Sequence, residues 1–461
     1  MNRTTERWFA VVAVAVLVAS GAAVAAGPTQ ARSGANVAFD PPVPDEYSFD
    51  EPAAPGRATV DGRSFDSVQE AVDSAEPGDT VRLRGRFDED VVVNASNLTL
   101  VSEPGQLALI DGTATGDVLT LNGENVTVRR VWVRNSGFDP AGNDAGIWVN
   151  GTGARIVDSR VTAITFGIWI DGVDGVVIEN NTIVGRESVR PLSYRGNGIQ
   201  VWKTEDSLIA DNRITDVRDG VYFSWASNVT ARNNAMWDLR YGVHYMYSDD
   251  CRLANNTAFD NDVGYALMLS ENIRVANNTA VNNTGTSGHG ILLKRIDHSV
   301  VEGNEVVANG NGLYVFNSVN NTIAGNLVLE NRVGIYLTAG SVDERVYGNS
   351  FINNGRAVRA LVGELATWNA SDRGNYWSDA RRSDVDHDGV NEIRHRPAGL
   401  VDYLVYQHPQ ATVFASSPAF DALRRAESAF PVIDAPGVVD YHPLADPPHD
   451  DWRRYYARNR R

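Results

Sequence analysis

Residues 242–246 read Gly-Val-His-Tyr-Met. The phrase returns as Gly264-Tyr-Ala-Leu-Met268 and precedes itself as Gly220-Val-Tyr-Phe-Ser224. Working outward, the same opening glycine stands at Gly146, Gly167, Gly198, Gly290, Gly312 and Gly334. Six of the eight intervals are 21 or 22 residues; the others are 31 and 26. A fixed period of this size marks a solenoid. A second series, Asn181, Asn212, Asn234, Asn256, Asn278, Asn304, Asn326 and Asn349, keeps the same spacing. Two strand-like phrases and their turns in 22 residues leave no room for a helix, and a propeller blade needs roughly 40 residues. The expected fold is all-β, a right-handed parallel β-helix, with both ladders serving turns of unusual φ.

Each glycine phrase alternates with period two. Ile168 and Ile170, Ile199 and Val201, Val243 and Tyr245, Ile291 and Leu293, Leu313 and Val315 are expected to point inward. The outward set is then Trp148, Trp169, Gln200, Trp202, Tyr222, Ser224, His244, Met246, Ala266, Met268, Leu292, Lys294, Tyr314, Phe316 and Tyr336. A solvated face is polar, whereas this one is aromatic and apolar. Such a stripe is either an interface or a surface covered by another part of the chain. Trp148, Trp169, Trp202, Tyr222, Leu292, Lys294, Tyr314, Phe316 and Tyr336 are its partner-binding candidates.

His244 and Met246 lie mid-stripe, with Met268 at the equivalent place one coil on. After the initiator the chain has three methionines, and two are here. Stacked coils are ~4.8 Å apart, so both sulfurs and the imidazole can converge. Thioethers with imidazole suit Cu(I) and suit Zn or Mg poorly; the alternative is adaptable contact residues. His289 is a weaker candidate ligand, and Cys251 weaker still. Asp384, Asp386 and Asp388 open an acidic loop in the D-x-D-x-D-G manner of calcium sites. The twelfth position is His395 rather than a bidentate glutamate, so this is no EF-hand. It is either a looser calcium site or an acidic turn.

The chain has 461 residues, 43% hydrophobic, and a net charge of −17. Such acidity argues against nucleic acid as a partner. With only two lysines, it fits a salt-adapted protein or an acidic one from a GC-rich genome. Arg3 and Arg7 precede an apolar run from Trp8 to Ala26, so residues 1–26 read as an export signal or a retained anchor. Cys251 is the single cysteine, so no internal disulfide forms. Residues 27–58 read as a linker and 59–354 as the β-helix, with coils from about Val81 to Phe351. Phe65 to Ala75 has the spacing of a short helix that would plug the first coil. After Asn354 the period fades. Residues 355–446 read as a C-terminal cap with a helix from Pro418 to Phe430 behind Ser417, and 447–461 as a loose basic tail.

Many parallel β-helices act on polysaccharides. Ser248-Asp-Asp-Cys251 and Gly288-His-Gly290 resemble polygalacturonase phrases, but Asp250 and His289 fall almost two coils apart, and an upstream Asn-Thr-Asp phrase is missing. Pro448-His-Asp450, the nearest match to an epimerase phrase, lies outside the coils. A lyase would want clustered cations, and the stripe offers Lys294. The expectation is a non-catalytic protein, with a secreted polysaccharide-active enzyme or carbohydrate-binding module as the alternative.

Arg240-Tyr-Gly-Val-His-Tyr-Met-Tyr-Ser248, Gly264-Tyr-Ala-Leu-Met268, Gly290-Ile-Leu-Leu-Lys294, Gly374-Asn-Tyr-Trp-Ser-Asp379, and Ser417-Pro-Ala followed by Phe430-Pro-Val together resemble the NosD family of nitrous oxide reductase maturation proteins. The similarity spans about residues 60–446. It implies an extracytoplasmic, copper-binding accessory role in assembling the copper–sulfide centre of nitrous oxide reductase. It also implies three partners: an ABC transporter (an ATPase and a membrane subunit), the reductase itself and a copper-carrying lipoprotein. His387 stands in the acidic loop where the family commonly has glycine.

Overall fold

The structure is a computed structural model. It describes residues 37–456 except 44–48, 106, 140, 339, 415–416 and 430–435. The apolar run from Trp8 to Ala26 and the Phe430-Pro-Val phrase lie outside the described residues. No described helix is long and apolar enough to cross a membrane.

Three long sheets of 14, 13 and 12 strands run along the molecule. Each coil contributes one strand to each sheet, and neighbours pair in parallel, as Val221↔Val243 and Val243↔Tyr265 show. The β-helix expectation is therefore met. At the first end the strands Arg57–Val60 and Arg63–Phe65 pair antiparallel. There the helix Val68–Asp73 buries Val68, Ala71 and Val72 over the open coil. It is shorter than Phe65–Ala75 because Phe65 belongs to a strand and Ser67 caps the helix, accepting from the Glu70 N–H.

The glycine ladder exists for a different reason than the one expected. Its members have no left-handed φ; they lie where adjacent backbones touch. A Cβ on Gly242 would sit 2.6 Å from the carbonyl oxygen of Gly264, and one on Gly220 would sit 2.5 Å from that of Gly242. No side chain fits there. The asparagine ladder does occupy the two-residue turns between strands, but its members point inward and their own φ is ordinary. Asn256 is 1% exposed. Its Oδ1 accepts from the backbone N–H and Nδ2 of Asn234 (3.0 and 2.9 Å). Its Nδ2 donates to the Ala231 carbonyl and to Asn278 Oδ1 (3.0 and 2.9 Å). The left-handed residue is the preceding one: Asn233, Asn255, Asn277 and their equivalents have φ near 56°.

The ladder also carries the coil beyond Asn354. Asn349 donates to Asn375 Oδ1 at 2.8 Å, and Tyr376–Trp377 pairs with Ser350–Phe351. The Gly374-Asn-Tyr-Trp phrase is thus the last rung of the 13-stranded sheet, reached after an excursion through residues 361–373. A row of amide donors must end on an acceptor. Asp440 ends this one, accepting from the Asn375 N–H (2.7 Å) and Trp377 Nε1 (2.8 Å). A shorter ladder ends on Glu344, which accepts from Asn321.

The described parts of the segments read as a linker and a loose tail lie against the coil. Val37, Phe39 and Val43 join Trp452, Tyr455 and Tyr456 over Phe259, Val281, Val307 and Leu329, on the outside of the 13-stranded sheet. The Ala38 N–H donates to the Tyr455 carbonyl. Glu51 pairs with Arg86 and Arg134. The C-terminal helix Leu400–Gln407 packs against the last strand of the 12-stranded sheet, Val358–Ala360, at the far end. Pro418–Ala429 forms the second C-terminal helix, and Ser417 Oγ accepts from the Phe420 N–H at 3.4 Å.

Candidate functional site

The outer face of the 12-stranded sheet carries the stripe. Its middle column runs in register from Trp148 through Trp169, Gln200, Tyr222, His244, Ala266, Leu292 and Tyr314 to Tyr336. The column two residues further along each strand runs through Trp202, Ser224, Met246, Met268, Lys294 and Phe316. The expected inward residues, Val243 and Tyr245 among them, are fully buried. Trp148 and Trp169 stack at 4.9 Å and 4°, and Tyr314 meets Tyr336 edge-on at 5.0 Å. Tyr336 also lies under the guanidinium of Arg359 at 4.5 Å. Lys294 is exposed, whereas Trp148, Trp169, Trp202, Tyr222, Met246, Met268, Tyr314 and Phe316 are half-buried.

A third column, absent from the sequence reading, completes this face. The residue before each ladder glycine gives the register Asp219↔Tyr241↔Val263↔His289↔Asn311. The strand alternation breaks at the glycine, so this column meets the stripe. Val263 packs with Ala266 and Leu292, flanked by Tyr241, Met268 and Tyr314. That is why Ala266 and Leu292 are buried although they face outward. Only His289 had been singled out from this column. The signal was the glycine period itself, read one residue earlier.

His244 sits where these columns meet. It is 8% exposed. Its Nδ1 lies 3.2 Å from Asp219 Oδ2. Tyr222 stacks on its ring at 4.5 Å, and Tyr241 meets it edge-on at 5.0 Å. Its Nε2 is buried without a hydrogen-bond partner. Asp219 is fully buried and receives two bonds from Arg240, at 2.8 and 2.6 Å. Burial alone would raise its pKa, but the bonds from His244 and Arg240 outweigh it and hold the carboxyl at about 2. The polar chain continues outward. Arg218 Nε donates to Asn197 Oδ1, and Asn197 Nδ2 donates to Gln200.

The structure therefore brings His244, Met246 and Met268 onto one surface, with Met246 and Met268 as register partners. An unpartnered imidazole nitrogen on the same face as two thioethers is a donor set that suits a soft monovalent ion such as Cu(I). The third methionine, Met236, is fully buried in the core. His289 lies two coils further on. Its Nδ1 is 3.0 Å from the Asn311 amide, and its ring stacks on Tyr314 at 4.5 Å. Burial, with help from Arg332, pushes its pKa down to about 4, so it stays neutral.

The other candidates stand apart. Asp384, Asp386 and Asp388 do bring carboxylate oxygens within 4.8 Å of one another. The loop is accounted for by its own turn bonds: Asp386 accepts from Asp388, Asp388 from Val390, and Glu392 from Val385 and Asp386. His395 turns away to Asp379 at 3.4 Å. Nothing beyond this trio speaks for calcium. Asp250 is an exposed left-handed residue leading into the 14-stranded sheet, whereas His289 opens a strand of the 12-stranded sheet. Cys251 is buried, and burial raises its thiol pKa to about 12.

Comparison with known proteins follows the same lines. The profile of the family described as "Periplasmic copper-binding protein (NosD)" matches residues 179–381. A protein of Pseudomonas aeruginosa described as "Probable ABC transporter binding protein NosD" is 38% identical over 397 residues. The match covers 80% of this chain and 91% of that relative. A protein of the same description from Stutzerimonas stutzeri is 34% identical, covering 75% and 82%. Among solved structures, the alginate lyase AlyF-OU02 superposes with a TM-score of 0.53 at 16% identity, over 67% of this chain and 83% of that one. At that identity the likeness is one of fold alone. The chain belongs to the NosD family.

Proposed function

We propose that the protein is an extracytoplasmic, non-catalytic assembly factor that helps to supply copper to the copper–sulfide centre of nitrous oxide reductase. It acts with an ABC transporter and receives copper from a carrier such as a copper-carrying lipoprotein. Copper is cargo here, held briefly by His244 Nε2 and the sulfurs of Met246 and Met268. The observation that carries the reading is the buried, unpartnered Nε2 of His244 on the same face as the in-register methionine pair. Thioether ligands suit a site that must release its ion, because they bind Cu(I) without the charge of a thiolate.

The aromatic columns on either side serve as the docking face. Trp148, Trp169 and Trp202 lie on one side of the site, and Tyr314, Phe316 and Tyr336 on the other. Aromatic anchors of this kind dominate interface energetics. Trp225 and Tyr247 extend the face. They stack at 4.6 Å, are 55% and 43% exposed, and hold left-handed φ of 57° and 54°. Large residues seldom adopt that backbone conformation.

The test is genetic and analytical. Deleting the gene should leave nitrous oxide reductase with its copper–sulfide centre under-loaded, measured as copper per purified reductase. A fully loaded enzyme from the deletion strain contradicts the maturation role.

A further inference from the structure

We propose that Asp219, clamped by Arg240, is a positioning residue. It fixes the His244 ring with Nδ1 protonated and leaves Nε2 bare, on the sheet face that also carries Met246 and Met268. The proposal rests on the copper reading of this face and adds the device that makes the imidazole a ligand.

The argument is one of donors and acceptors. Arg240 Nε and Nη2 donate to the two oxygens of Asp219 at 2.8 and 2.6 Å. Arg218 Nε lies 3.8 Å from the same carboxylate. A carboxylate held by guanidinium groups accepts and does not donate. The ring nitrogen 3.2 Å from it therefore carries the proton. In a neutral imidazole the other nitrogen is then a bare acceptor. That nitrogen, Nε2, is buried and makes no hydrogen bond.

The ring cannot escape this arrangement by turning. Tyr222 stacks on one face and Tyr241 meets it edge-on. Tyr241 is itself fixed under the Arg240 guanidinium at 4.4 Å. Arg240 thus holds both the carboxylate and one wall of the pocket. A structural histidine buried to this degree would normally use both nitrogens, because an idle buried acceptor is costly. Here three neighbours enforce one orientation and leave one nitrogen idle. A carboxylate on the far nitrogen of a histidine ligand sets the tautomer and raises its basicity, and loss of such a partner typically weakens metal affinity roughly 10–100-fold.

Two measurements test this. The first uses metal-free protein with 15N-labelled histidine, with His244 assigned by the signal lost in His244→Gln. The expected spectrum shows His244 protonated on Nδ1 and bare on Nε2. A ring protonated on Nε2 overturns the proposal.

The second is Cu(I) competition against bathocuproine disulfonate in two backgrounds. Asp219→Asn and Arg240→Gln should each bind Cu(I) roughly 10–100-fold more weakly. Neither should weaken binding further once His244 is already alanine. An equal loss in both backgrounds makes Asp219 a merely structural residue and overturns the proposal. The same overturning follows if His244→Ala weakens binding and both partner variants do not. If the unaltered protein takes no Cu(I) at all, the copper reading itself fails. Should either partner variant fail to fold by circular dichroism, the tautomer measurement on the native protein still decides.

Discussion

Met246 and Met268 are register partners on adjacent parallel strands, both on the outer face of the 12-stranded sheet, although 22 residues separate them in the chain. Lys294 follows Met268 in the same column, and Arg240 stands behind His244. Two thioethers, one imidazole and nearby cations make a poor seat for a hard or doubly charged ion. The protein should therefore take up Cu(I) while leaving Zn(II) and Mg(II) in solution, as read by equilibrium dialysis and metal analysis. Zn(II) retained in preference to Cu(I) contradicts the assignment.

Gly242 and Gly325 predict opposite responses to substitution. A Cβ on Gly242 would lie 2.6 Å from the Gly264 carbonyl oxygen, an atom that cannot move without breaking the coil stack. Gly242→Ala should cost roughly 2–4 kcal/mol in chemical denaturation, at or above the usual range for overpacking. Gly325 has φ +60° with nothing within 4 Å, and equivalent turns carry asparagine. Gly325→Asn should change stability by less than about 0.5 kcal/mol.

The Asn256 side chain takes part in four buried hydrogen bonds within the amide ladder. Asn256→Ala leaves two donors on Asn234, its backbone N–H and one Nδ2 proton, without their acceptor, while Asn278 Oδ1 keeps the Asn256 backbone N–H. Each stranded group costs roughly 1–3 kcal/mol. The variant should unfold at lower denaturant by at least about 2 kcal/mol, and its hydrogen exchange should accelerate in the flanking coils first.

Glu344 makes stability depend on pH. Burial pushes its pKa up to about 8, against hydrogen bonds from Asn321 that lower it. The folded state therefore keeps a proton that the unfolded state releases above its ordinary range near 4.5. Stability from this group is intact below about pH 4.5, falls as pH rises to about 8, and is level above that. Glu344→Gln should flatten that slope, gaining on the native chain at pH 8 and not at pH 4. Parallel profiles for the two proteins contradict the assignment.

Tyr455 is 4% exposed and bonds Glu305, as does Arg454. Tyr455→Ala should loosen the terminal straps over the 13-stranded sheet and leave the coil intact. The checks are faster proteolytic trimming at both termini and an almost unchanged global unfolding midpoint.

The coil was legible because two simple periods coincide. Alternation within a phrase sorts Val243 and Tyr245 inward from His244 and Met246. The 22-residue repeat then stacks Met246 on Met268. Asp219 escaped because alternation carried backward through Gly220 points it into the core. The chain breaks step at that glycine, which backbone contact with Gly242 requires, and Asp219 emerges beside His244. The last rung at Asn375 escaped because the excursion through residues 361–373 interrupts the spacing. Val37, Phe39 and Tyr455 belong to no repeat at all. Their places follow from apolar surface left on Phe259 and Val307, and only tertiary structure reveals it.

The most direct test is Cu(I) titration of the protein against its Met246→Ala/Met268→Ala double variant, with circular dichroism confirming that both are folded. Both methionines face outward and are half-buried, so the coil should survive their loss. The account predicts one tightly bound Cu(I) per native chain and an affinity at least about tenfold weaker in the variant, about 1.4 kcal/mol. Equal tight binding by the two proteins would contradict the placement of copper at His244, Met246 and Met268.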